Sequence, residues 1–530
     1  MNYMTIKEII EKEIRKNIKN IKTKPQVIQS QKEEYGDLST NFAFVLSSSL
    51  NIGMSDAKNI ITEILKKSPL VEKIEAISGF VNIWIKDRVL YRVIREIKRK
   101  GDNFGRINLG KNRKILIEFV SANPTGPLHI GHGRGGVYGD SIARILEFSG
   151  FSVDREYYIN DVGTQIELLG ASIKARYLGR KVPEDGYRGG YIKEIAKKIP
   201  NDAKEKDISF FSSFGYKEIL SWIKDELLRC NVKFDRFEYE TKLYENKLVD
   251  DVILSLKGHT YTKDGALWLS TSRVFDEKDR VLIREDKKPT YFASDLAYHR
   301  EKYKRGYDLL INLWGTDHHG YIERLKSGIK MFGYNPERLK IILYQLVTLK
   351  RGGNVISMST RKGEFVTLKE VLDEIGSDAT RFFLLTRKSD THLEFDLELA
   401  KKSSPENPVY YIQYLHARAC SILREAEKKG IRLVKRPELS LLKNKEEHKL
   451  LIKLSLFPDE VKASSLFYEP HRIANYLLSL ADIFHNYYHQ HRVISDNRKL
   501  TQARLFLVSC AKIVAKNGLF LLGISAPERM

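Results

Sequence analysis

Residues 115–132 read ILIEFVSANPTGPLHIGH and predict the first elements of a parallel sheet. Its first part, 115–120, is a short apolar run of the kind that forms a buried strand. A turn rich in Pro and Gly follows, and apolar residues at helical spacing then run from about 128 to 148, with a stop at Gly150. Residues 152–159 predict a second strand. Strand, turn, helix and strand in this order form a βαβ unit, which opens a parallel, doubly wound sheet.

The residues beyond this unit extend the same fold. Apolar runs at 309–313 and 341–347 predict two more buried strands, separated by a helix at about 320–332. Residues 165–285 are mixed and charged, contain a predicted strand at 265–270, and are expected to be an insertion into the sheet topology. The sequence therefore predicts an α/β fold with a Rossmann-type parallel sheet over residues 109–404.

The two flanks have a different texture. The elements predicted in the first flank are an amphipathic helix over residues 1–30, a helix at 56–68, a strand at 76–85 and a connecting helix at 86–100. Together they predict a small α/β domain over residues 1–108. From residue 405 the pattern is helical almost throughout, which predicts an all-α domain over residues 405–530.

Charge is distributed unevenly over this 530-residue chain, whose net charge is +22. Residues 1–108 hold 20 Lys and Arg against 13 Asp and Glu, and residues 405–530 hold 20 against 12. A hydrophobic fraction of 42% excludes a disordered polycation. Basic flanks around a nearly balanced centre favour a polyanion such as nucleic acid as the partner of the flanks. For any single run of charges, a solvated helix face is the alternative.

The cysteine content points to a reducing compartment. Cys230, Cys420 and Cys510 are too few and too scattered for a disulfide framework or a CxxC zinc site. The first ten residues lack the apolar core of a signal peptide, and no run of about 18 apolar residues occurs. A cytoplasmic protein without a membrane span is expected.

Two histidines lie where the predicted helix begins. His129 and His132 are three residues apart and share one face of the first turn. A helix N-terminus carries unpaired N–H groups and a partial positive charge, so it favours phosphate, and imidazoles there can donate hydrogen bonds to phosphate oxygens. Gly131 between them leaves room for a ligand against the backbone. The alternative is a buried helix whose histidines only bond to carbonyl groups.

The string that contains these histidines resembles the HIGH signature of class I aminoacyl-tRNA synthetases. A shorter HxGH pattern is shared with other nucleotidyltransferases, so the tetrapeptide alone does not identify a synthetase. The resemblance implies that Pro127, Leu128 and Gly131 contact ATP and that His129 and His132 stabilise its phosphates. It also implies that Mg²⁺ accompanies ATP.

Residues 357–361 read SMSTR and resemble the second class I signature, KMSKS, whose lysines meet the ATP phosphates. Both lysines are absent, since Ser357 and Thr360 stand in their places. Arg361 remains, and its planar fork can supply a cation at the leaving pyrophosphate. We therefore expect a catalytic role for Arg361, and the resemblance puts Met358 and Ser359 on the adenine side. The alternative is that Arg361 is a surface charge on a loop.

Several further strings resemble arginyl-tRNA synthetases. They occur in the order of that family and span most of the chain: YINDVGTQI (158–166), DGALWL (264–269), TYFASDLAYH (290–299), WGTDHHG (314–320), NPVYYIQYLHARA (407–419) and LLGISAPERM (521–530). Synthetases for other amino acids, such as cysteine or glutamate, fit these strings less well.

The chemistry of an arginine substrate agrees with the residues. A guanidinium group is a planar cation that favours carboxylates in fork geometry. Tyr291 and Asp295 are four residues apart, so a helix projects them from one face, and in the family residues at this spacing hold the guanidinium group. The resemblance adds Glu118, Ser121 and Asn123 to the arginine-binding set. Glu118 interrupts an apolar run, where an unpaired charge would be costly, so a cationic partner is expected; a structural salt bridge is the alternative.

The string WGTDHHG follows another predicted strand. Its Gly315 and Asp317 match the class I element that meets the ATP ribose, and a carboxylate suits two adjacent hydroxyl groups. His318 and His319 could indicate a metal, but no third ligand has suitable spacing, so we expect no zinc site.

The resemblance also gives the flanks a function. Residues 1–108 resemble the domain that contacts the tRNA elbow, and the C-terminal helices resemble the anticodon-binding domain. Tyr410, Tyr411 and Tyr414 could stack on RNA bases, although tyrosines at helical spacing more often form a core. The implied activity is a monomeric class I arginine–tRNA ligase that uses ATP, L-arginine and tRNA(Arg) and binds tRNA before activation. A tRNA-binding paralogue without catalysis is the rival from another functional class.

Overall fold

The computed structural model describes residues 4–18, 21–30, 32–356 and 366–530. These residues form an N-terminal α/β region, a central region built on a parallel sheet, and a C-terminal helical region. The segment SMSTR lies outside the described residues, and with it Met358, Ser359 and Arg361.

The N-terminal region packs helices on a four-stranded antiparallel sheet of order β1-β2-β4-β3. Its elements are α1 (Ile6–Asn17), β1 (Val27–Gln29), β2 (Leu38–Thr40), α2 (Phe42–Leu50), α3 (Met54–Lys66), β3 (Val71–Ile77), β4 (Phe80–Ile85) and α4 (Asp87–Lys100). The strand predicted at 76–85 is a hairpin, because Ser78 and Gly79 both adopt positive φ and reverse the chain. The helix predicted over residues 1–30 is too long: α1 ends at Asn17, and residues 27–29 form the strand β1.

The central region contains most of the strands. Its elements are β5 (Lys114–Glu118), α5 (Ile130–Phe148), β6 (Ser152–Ile159), α6 (Thr164–Tyr177), α7 (Gly190–Lys198), α8 (Ile208–Arg229), β7 (Arg236–Tyr239), α9 (Thr241–Glu245), α10 (Leu248–Ser255), β8 (Thr260–Lys263), β9 (Ala266–Leu269), β10 (Arg280–Ile283), α11 (Tyr291–Lys304), β11 (Leu309–Gly315), α12 (Ile322–Met331), β12 (Leu339–Tyr344), β13 (Val347–Arg351), β14 (Asn354–Val355), α13 (Leu368–Leu384), β15 (Leu393–Asp396) and α14 (Leu397–Lys401).

The central sheet has the order β12-β11-β5-β6-β7, and all of its neighbouring strands are parallel. The chain moves outward in one direction from β5 and later resumes at β11 on its other side. The topological switch therefore lies between β5 and β11, where open α/β sheets hold their ligands at the carboxyl ends of the strands. The predicted α/β fold is confirmed.

Alternate residues of β5 pack into two separate hydrophobic cores. Ile115 and Ile117 of β5 belong to the large apolar cluster that contains α5, whereas Leu116 belongs to a second cluster with α10, α11 and α12. Successive strand residues point to opposite faces, so both faces of the sheet are covered by helices.

The insertion predicted at 165–285 is interrupted by β7, which pairs with β6 as the edge strand of the central sheet. β7 has only four residues, RFEY, and two of them are charged, so it lacks the apolar run that reveals a central strand. What remains is a helical insertion (α6–α8) and a separate three-stranded antiparallel unit (β8–β10). The strand predicted at 341–347 is likewise two elements, the end of β12 and the beginning of β13.

The C-terminal region consists of α15 (Pro408–Lys428), α16 (Lys445–Ser455), α17 (Phe457–Phe467), α18 (His471–Gln490) and α19 (Arg498–Leu521). Its helices pack against α4 and the N-terminal region. His448 of α16 bonds to both Asp37 and Asp87, at 2.9 and 3.0 Å, and the Cys510 thiol donates to the Ile94 carbonyl oxygen. The basic flanks are therefore in direct contact.

Two further observations concern the whole described chain. Among the helices of the described residues, none combines the length and the apolar character needed to cross a membrane. All three cysteines are buried as free thiols.

Candidate functional site

The candidate site lies at the carboxyl end of β5, at the topological switch between β5 and β11. Val120 and Ser121, directly after the strand, adopt positive φ of 67° and 39°, a backbone region that residues with side chains rarely enter. The Ser121 hydroxyl donates to Glu118 Oε1 at 2.9 Å and accepts from the Tyr158 N–H of the neighbouring strand at 3.1 Å. These bonds hold a strained bend at the carboxyl edge of the sheet, where such strain accompanies function.

The two histidines stack at the beginning of α5. His129 is the N-cap residue, and its Nδ1 accepts from the His132 backbone N–H at 3.2 Å. The rings lie 3.6 Å apart and 17° from parallel. Burial lowers the pKa of His129, and burial together with the neighbouring His129 lowers the pKa of His132 to about 3. Both imidazoles are therefore neutral at pH 7. Because Nδ1 of His129 accepts, its proton lies on Nε2.

Gly131 makes room for the ring of His129. A β-carbon at this position would lie 2.9 Å from Cε1 of His129. The absence of a side chain thus lets the His129 ring fold over the first turn of α5. Further along the helix, a β-carbon on Gly135 would lie 2.9 Å from the Tyr344 hydroxyl oxygen and one on Gly139 would lie 2.3 Å from the Phe119 ring. These two glycines let the sheet approach α5 closely.

The turn between β5 and α5 is held at three carbonyl oxygens spaced three residues apart. Tyr157 of β6 donates to Ala122 O at 2.8 Å, Tyr191 of α7 donates to Thr125 O at 2.9 Å, and the Leu368 N–H donates to Leu128 O at 2.8 Å. Within the turn, Asn123 is exposed and its amide donates to Gln165 Oε1 at 2.7 Å. The sheet, the helical insertion and α13 each fix one point of the turn.

Glu118 is buried and forms an ion pair with the fully buried Lys302 of α11. Lys302 also donates to Asn312 Oδ1 at 3.1 Å, and Asn312 contacts His299 at 2.8 Å. Both oxygens of Glu118 thus have partners within the chain, from Lys302 and Ser121. The structural salt bridge was the alternative interpretation, and burial of this carboxylate therefore does not by itself require a cationic substrate.

Tyr291 and Asp295 lie on α11 with the spacing that the sequence predicts. Tyr291 is 59% exposed, and a β-carbon on Gly163 would lie 3.6 Å from its hydroxyl oxygen. Asp295 is partly buried and accepts a hydrogen bond from Tyr321. Burial raises the pKa of Asp295 to about 6, although the Tyr321 hydroxyl opposes this shift.

Glu240 is a candidate that the sequence analysis did not find. It follows β7 directly and is only 3% exposed. Burial, and next the negative charges of Asp295 and Asp161, raise the pKa of Glu240 to about 7. Three carboxylates thus lie together at the ends of β6 and β7 and on α11. A carboxylate directly after a parallel strand would have marked Glu240 as a candidate. The charged sequence of β7 was not recognised as a strand, so this pattern was not seen.

Gly315 and Asp317 lie at the carboxyl end of β11, next to β5. A β-carbon on Gly315 would lie 2.4 Å from an Asp317 carboxylate oxygen, so glycine permits the fold of this turn. The Asp317 side chain is 79% exposed and lies 3.5 Å from His318. Burial, and next the negative charge of Asp317, raise the pKa of Tyr344 to about 12, and Tyr344 packs against α5.

Described elements precede and follow the segment that lies outside the described residues. β13 and β14 form a hairpin before it. After it, Thr367 pairs with His129 in an isolated bridge. Within the described residues, no three His, Cys, Asp or Glu side chains are grouped to hold a metal ion.

A second, separate groove lies in the C-terminal region. It has a volume of about 780 Å³ and is lined by aromatic and basic side chains of α15 and the end of α18. Tyr410 and Tyr414 are parallel at 6.3 Å, and the Arg418 guanidinium lies 4.9 Å from the Tyr414 ring and 5.2 Å from the Tyr488 ring. These tyrosines line a groove and are not fully buried in the core, so a stacking surface for RNA bases is available.

Comparisons with known proteins cover nearly the whole chain. Family models match residues 4–85 (arginyl tRNA synthetase N terminal domain), 94–396 (tRNA synthetases class I (R), catalytic domain) and 412–530 (DALR anticodon binding domain). Arginine–tRNA ligases of Syntrophotalea carbinolica and Geobacter sp. strain M21 are each 46% identical over 94% of this chain and 93% of theirs. The Thermus thermophilus arginyl-tRNA synthetase structure, 23% identical, matches 99% of this chain and 100% of its own with a TM-score of 0.81, which shows the same fold. By its catalytic, N-terminal and anticodon-binding modules, the chain belongs to the arginyl-tRNA synthetase family, the class I arginine–tRNA ligases.

Proposed function

We propose that the carboxyl edge of the central sheet activates L-arginine with ATP and transfers it to the 3′ end of tRNA(Arg). One observation carries this proposal. A group of three carboxylates, Asp161, Glu240 and Asp295, lies at the same sheet edge as a pair of neutral histidines at a helix N-terminus. The carboxylates suit a cationic side chain, and the helix N-terminus suits phosphate.

The arginine side of the site is assigned to α11 and the strand ends. Asp295 and Glu240 face the guanidinium group, and Tyr291 covers it from the exposed end of α11. Ser121 and Asn123 contact the amino acid from the turn. Glu118 acts differently, because its ion pair with Lys302 anchors the strained bend that presents Ser121.

The ATP side is assigned to the beginning of α5 and the end of β11. His129 and His132 donate hydrogen bonds to phosphate oxygens as neutral imidazoles, and Pro127, Leu128 and Gly131 shape the adjoining surface. Gly315 and Asp317 contact the ribose. Mg²⁺ enters with ATP as part of the substrate. The residues assigned to the pyrophosphate and adenine sides within SMSTR are Arg361, Met358 and Ser359.

The reaction has two steps. The arginine carboxylate attacks the α-phosphorus of ATP, arginyl-adenylate forms, and pyrophosphate leaves. A hydroxyl of the terminal tRNA ribose then attacks the carbonyl carbon of the adenylate, and AMP leaves. Positioning and electrostatic stabilisation of the phosphate oxygens supply the catalysis, without a covalent enzyme intermediate.

We assign tRNA contacts to both flanks. Residues 1–108 form the module for the tRNA elbow, residues 109–404 the catalytic module, and residues 405–530 the anticodon module. One chain contains all three, which supports a monomer as the active unit. A cytoplasmic location is part of this proposal because tRNA is the substrate and the three thiols are free.

The test is ATP–pyrophosphate exchange, measured with each of the twenty amino acids in turn, with and without tRNA. Of the twenty amino acids, we expect only arginine to support exchange. Exchange with another amino acid would replace the proposed substrate, and no exchange under any condition would favour a tRNA-binding paralogue.

The raised pKa values of the carboxylates predict how arginine binding depends on pH. A carboxylate must be deprotonated to bind a guanidinium group, which stays charged throughout. The pKa is raised to about 7 in Glu240 and to about 6 in Asp295, so binding weakens as pH falls through this window. We expect KM for arginine to rise about 10-fold from pH 8 to pH 6. Glu240→Gln should flatten the upper part of this profile, and a KM independent of pH would contradict the assignment.

The C-terminal groove predicts a separate effect on tRNA. Arg418 lies against two tyrosine rings, so Arg418→Gln should disturb the stacking surface and remove one cation. We expect KM for tRNA to rise about 10-fold, since one stacked base contributes about 1–3 kcal/mol. KM for arginine should not change. The matched control is Arg424→Gln on the same helix, whose guanidinium bonds to Glu528 O outside the groove. An equal rise of KM for tRNA in the two variants would mean that the loss of one positive charge, and not the stacking surface, is the cause.

A further inference from the structure

The helical insertion contacts the catalytic turn through Gln165, which accepts from Asn123, and through the phenol of Tyr191. Tyr191, in the first turn of α7, donates its hydroxyl to Thr125 O at 2.9 Å. A β-carbon on Gly126 would lie 3.2 Å from the same hydroxyl oxygen, so the chain carries glycine where Tyr191 meets the turn. The contact is close on both sides of the Thr125–Gly126 peptide.

The insertion is a rigid support for this contact. A β-carbon on Gly170 of α6 would lie 2.1 Å from the Ser212 hydroxyl oxygen of α8, so these two helices pack closely. The Tyr187 N–H, just before α7, donates to the Ser172 hydroxyl of α6 at 2.9 Å. Tyr191 is half-buried and packs against the core. Its hydroxyl is therefore held in place relative to α6 and α8.

The position of Thr125 gives this bond its significance. Thr125 lies two residues after Asn123, assigned to the amino acid, and two residues before Pro127, assigned to ATP. A shift of the Thr125 carbonyl therefore moves the two substrates' contacts relative to each other. Misplacement by about 1 Å can lower a rate by about 100-fold.

We propose that Tyr191 is a positioning residue for adenylate formation, which fixes the turn at 123–127 between the amino acid and ATP. This inference rests on the proposed function and extends it to a residue of the insertion that touches neither substrate. Arginine affinity depends mainly on Asp295 and Glu240, which the turn does not carry. Loss of the Tyr191 hydroxyl therefore acts on kcat and leaves KM for arginine nearly unchanged.

The test compares Tyr191→Phe with Tyr177→Phe in ATP–pyrophosphate exchange with arginine and tRNA. Tyr177 is a matched control, because its hydroxyl donates to Pro200 O at 2.8 Å, also from the insertion but away from the turn. We expect kcat to fall about 10-fold in Tyr191→Phe with KM for arginine within 2-fold, and both values to stay within 2-fold of wild type in Tyr177→Phe. Melting temperatures should fall equally in the two variants.

A second variant reaches the same bond from the turn. Gly126→Ala pushes the hydroxyl away and should lower kcat about 3-fold, and it should add nothing to Tyr191→Phe, since the bond is then already absent. If Tyr191→Phe does not fold, the kcat of Gly126→Ala tests the role of this hydrogen bond instead. An unchanged kcat in Tyr191→Phe, an equal loss in Tyr177→Phe, or full additivity with Gly126→Ala would overturn the inference. A wild-type protein without arginine-dependent exchange would instead overturn the proposed function itself.

Discussion

Replacing Asp295 by Asn should lower kcat/KM for arginine about 1,000-fold. The substitution keeps the shape of the side chain and an oxygen that can accept from Tyr321, so the fold of α11 is retained. It removes the negative charge that faces the guanidinium group. Leaving a buried charge without its partner costs about 3–5 kcal/mol, and about 1.4 kcal/mol corresponds to one factor of ten. Glu240 remains and limits the loss to this range.

Two measurements make this result specific. Citrulline, the neutral analogue of arginine, should gain relative to arginine as a ligand of Asp295→Asn, because the amide no longer prefers a cation. Glu301→Gln on the same helix removes a carboxylate that pairs with Lys304 near the surface, and it should leave kcat/KM within 2-fold. An Asp295→Asn enzyme with nearly normal arginine kinetics would remove α11 from the arginine site.

Replacing His132 by Ala should lower kcat for adenylate formation about 100- to 1,000-fold, with little change in KM for arginine. The loss of one donor to a developing negative charge costs this much in comparable sites. Alanine is well tolerated in a helix, so α5 should persist. Burial and His129 lower the pKa of His132 to about 3, so the wild-type kcat should show no titration of this group between pH 6 and pH 9.

The controls for His132 separate chemistry from folding. His132→Asn retains an N–H donor and should recover part of the activity lost in His132→Ala. His259→Ala changes an exposed histidine just before β8 and should leave kcat unchanged. If His132→Ala kept wild-type kcat, or lost activity only through a raised KM for arginine, the assigned role at the phosphates would be wrong.

The predictions from sequence were strongest where local patterns decide the structure. The strand at 152–159 agrees residue for residue with β6, and the helix predicted from 128 to 148 agrees closely with α5. Apolar periodicity and Pro/Gly turns act over a few residues, so the sequence displays them directly. The hairpin of β3 and β4 was missed because a two-residue turn interrupts the pattern only briefly.

Part of the geometry of the candidate site follows from the sequence. The histidine pair and the Tyr291–Asp295 pair follow from spacing along one helix, and the structure places them as expected on α5 and α11. Glu240 could not be found, since its partner Asp295 is more than fifty residues away and β7 carries no apolar signal. Glu118 was expected to face a cation, and the cation that the structure supplies is Lys302.

Local sequence patterns were sufficient to predict the order of most elements, the family resemblance and several of the residue types that meet at the sheet edge. Which charges neutralise each other is visible only in the folded chain, because burial and pairing depend on residues that are distant in the sequence. The tertiary structure assigned Lys302 to Glu118, brought Glu240 to Asp295, and placed the Tyr191 hydroxyl against Thr125. A hydrogen bond or ion pair acts over a few ångströms in space, whereas sequence patterns report only neighbours along the chain.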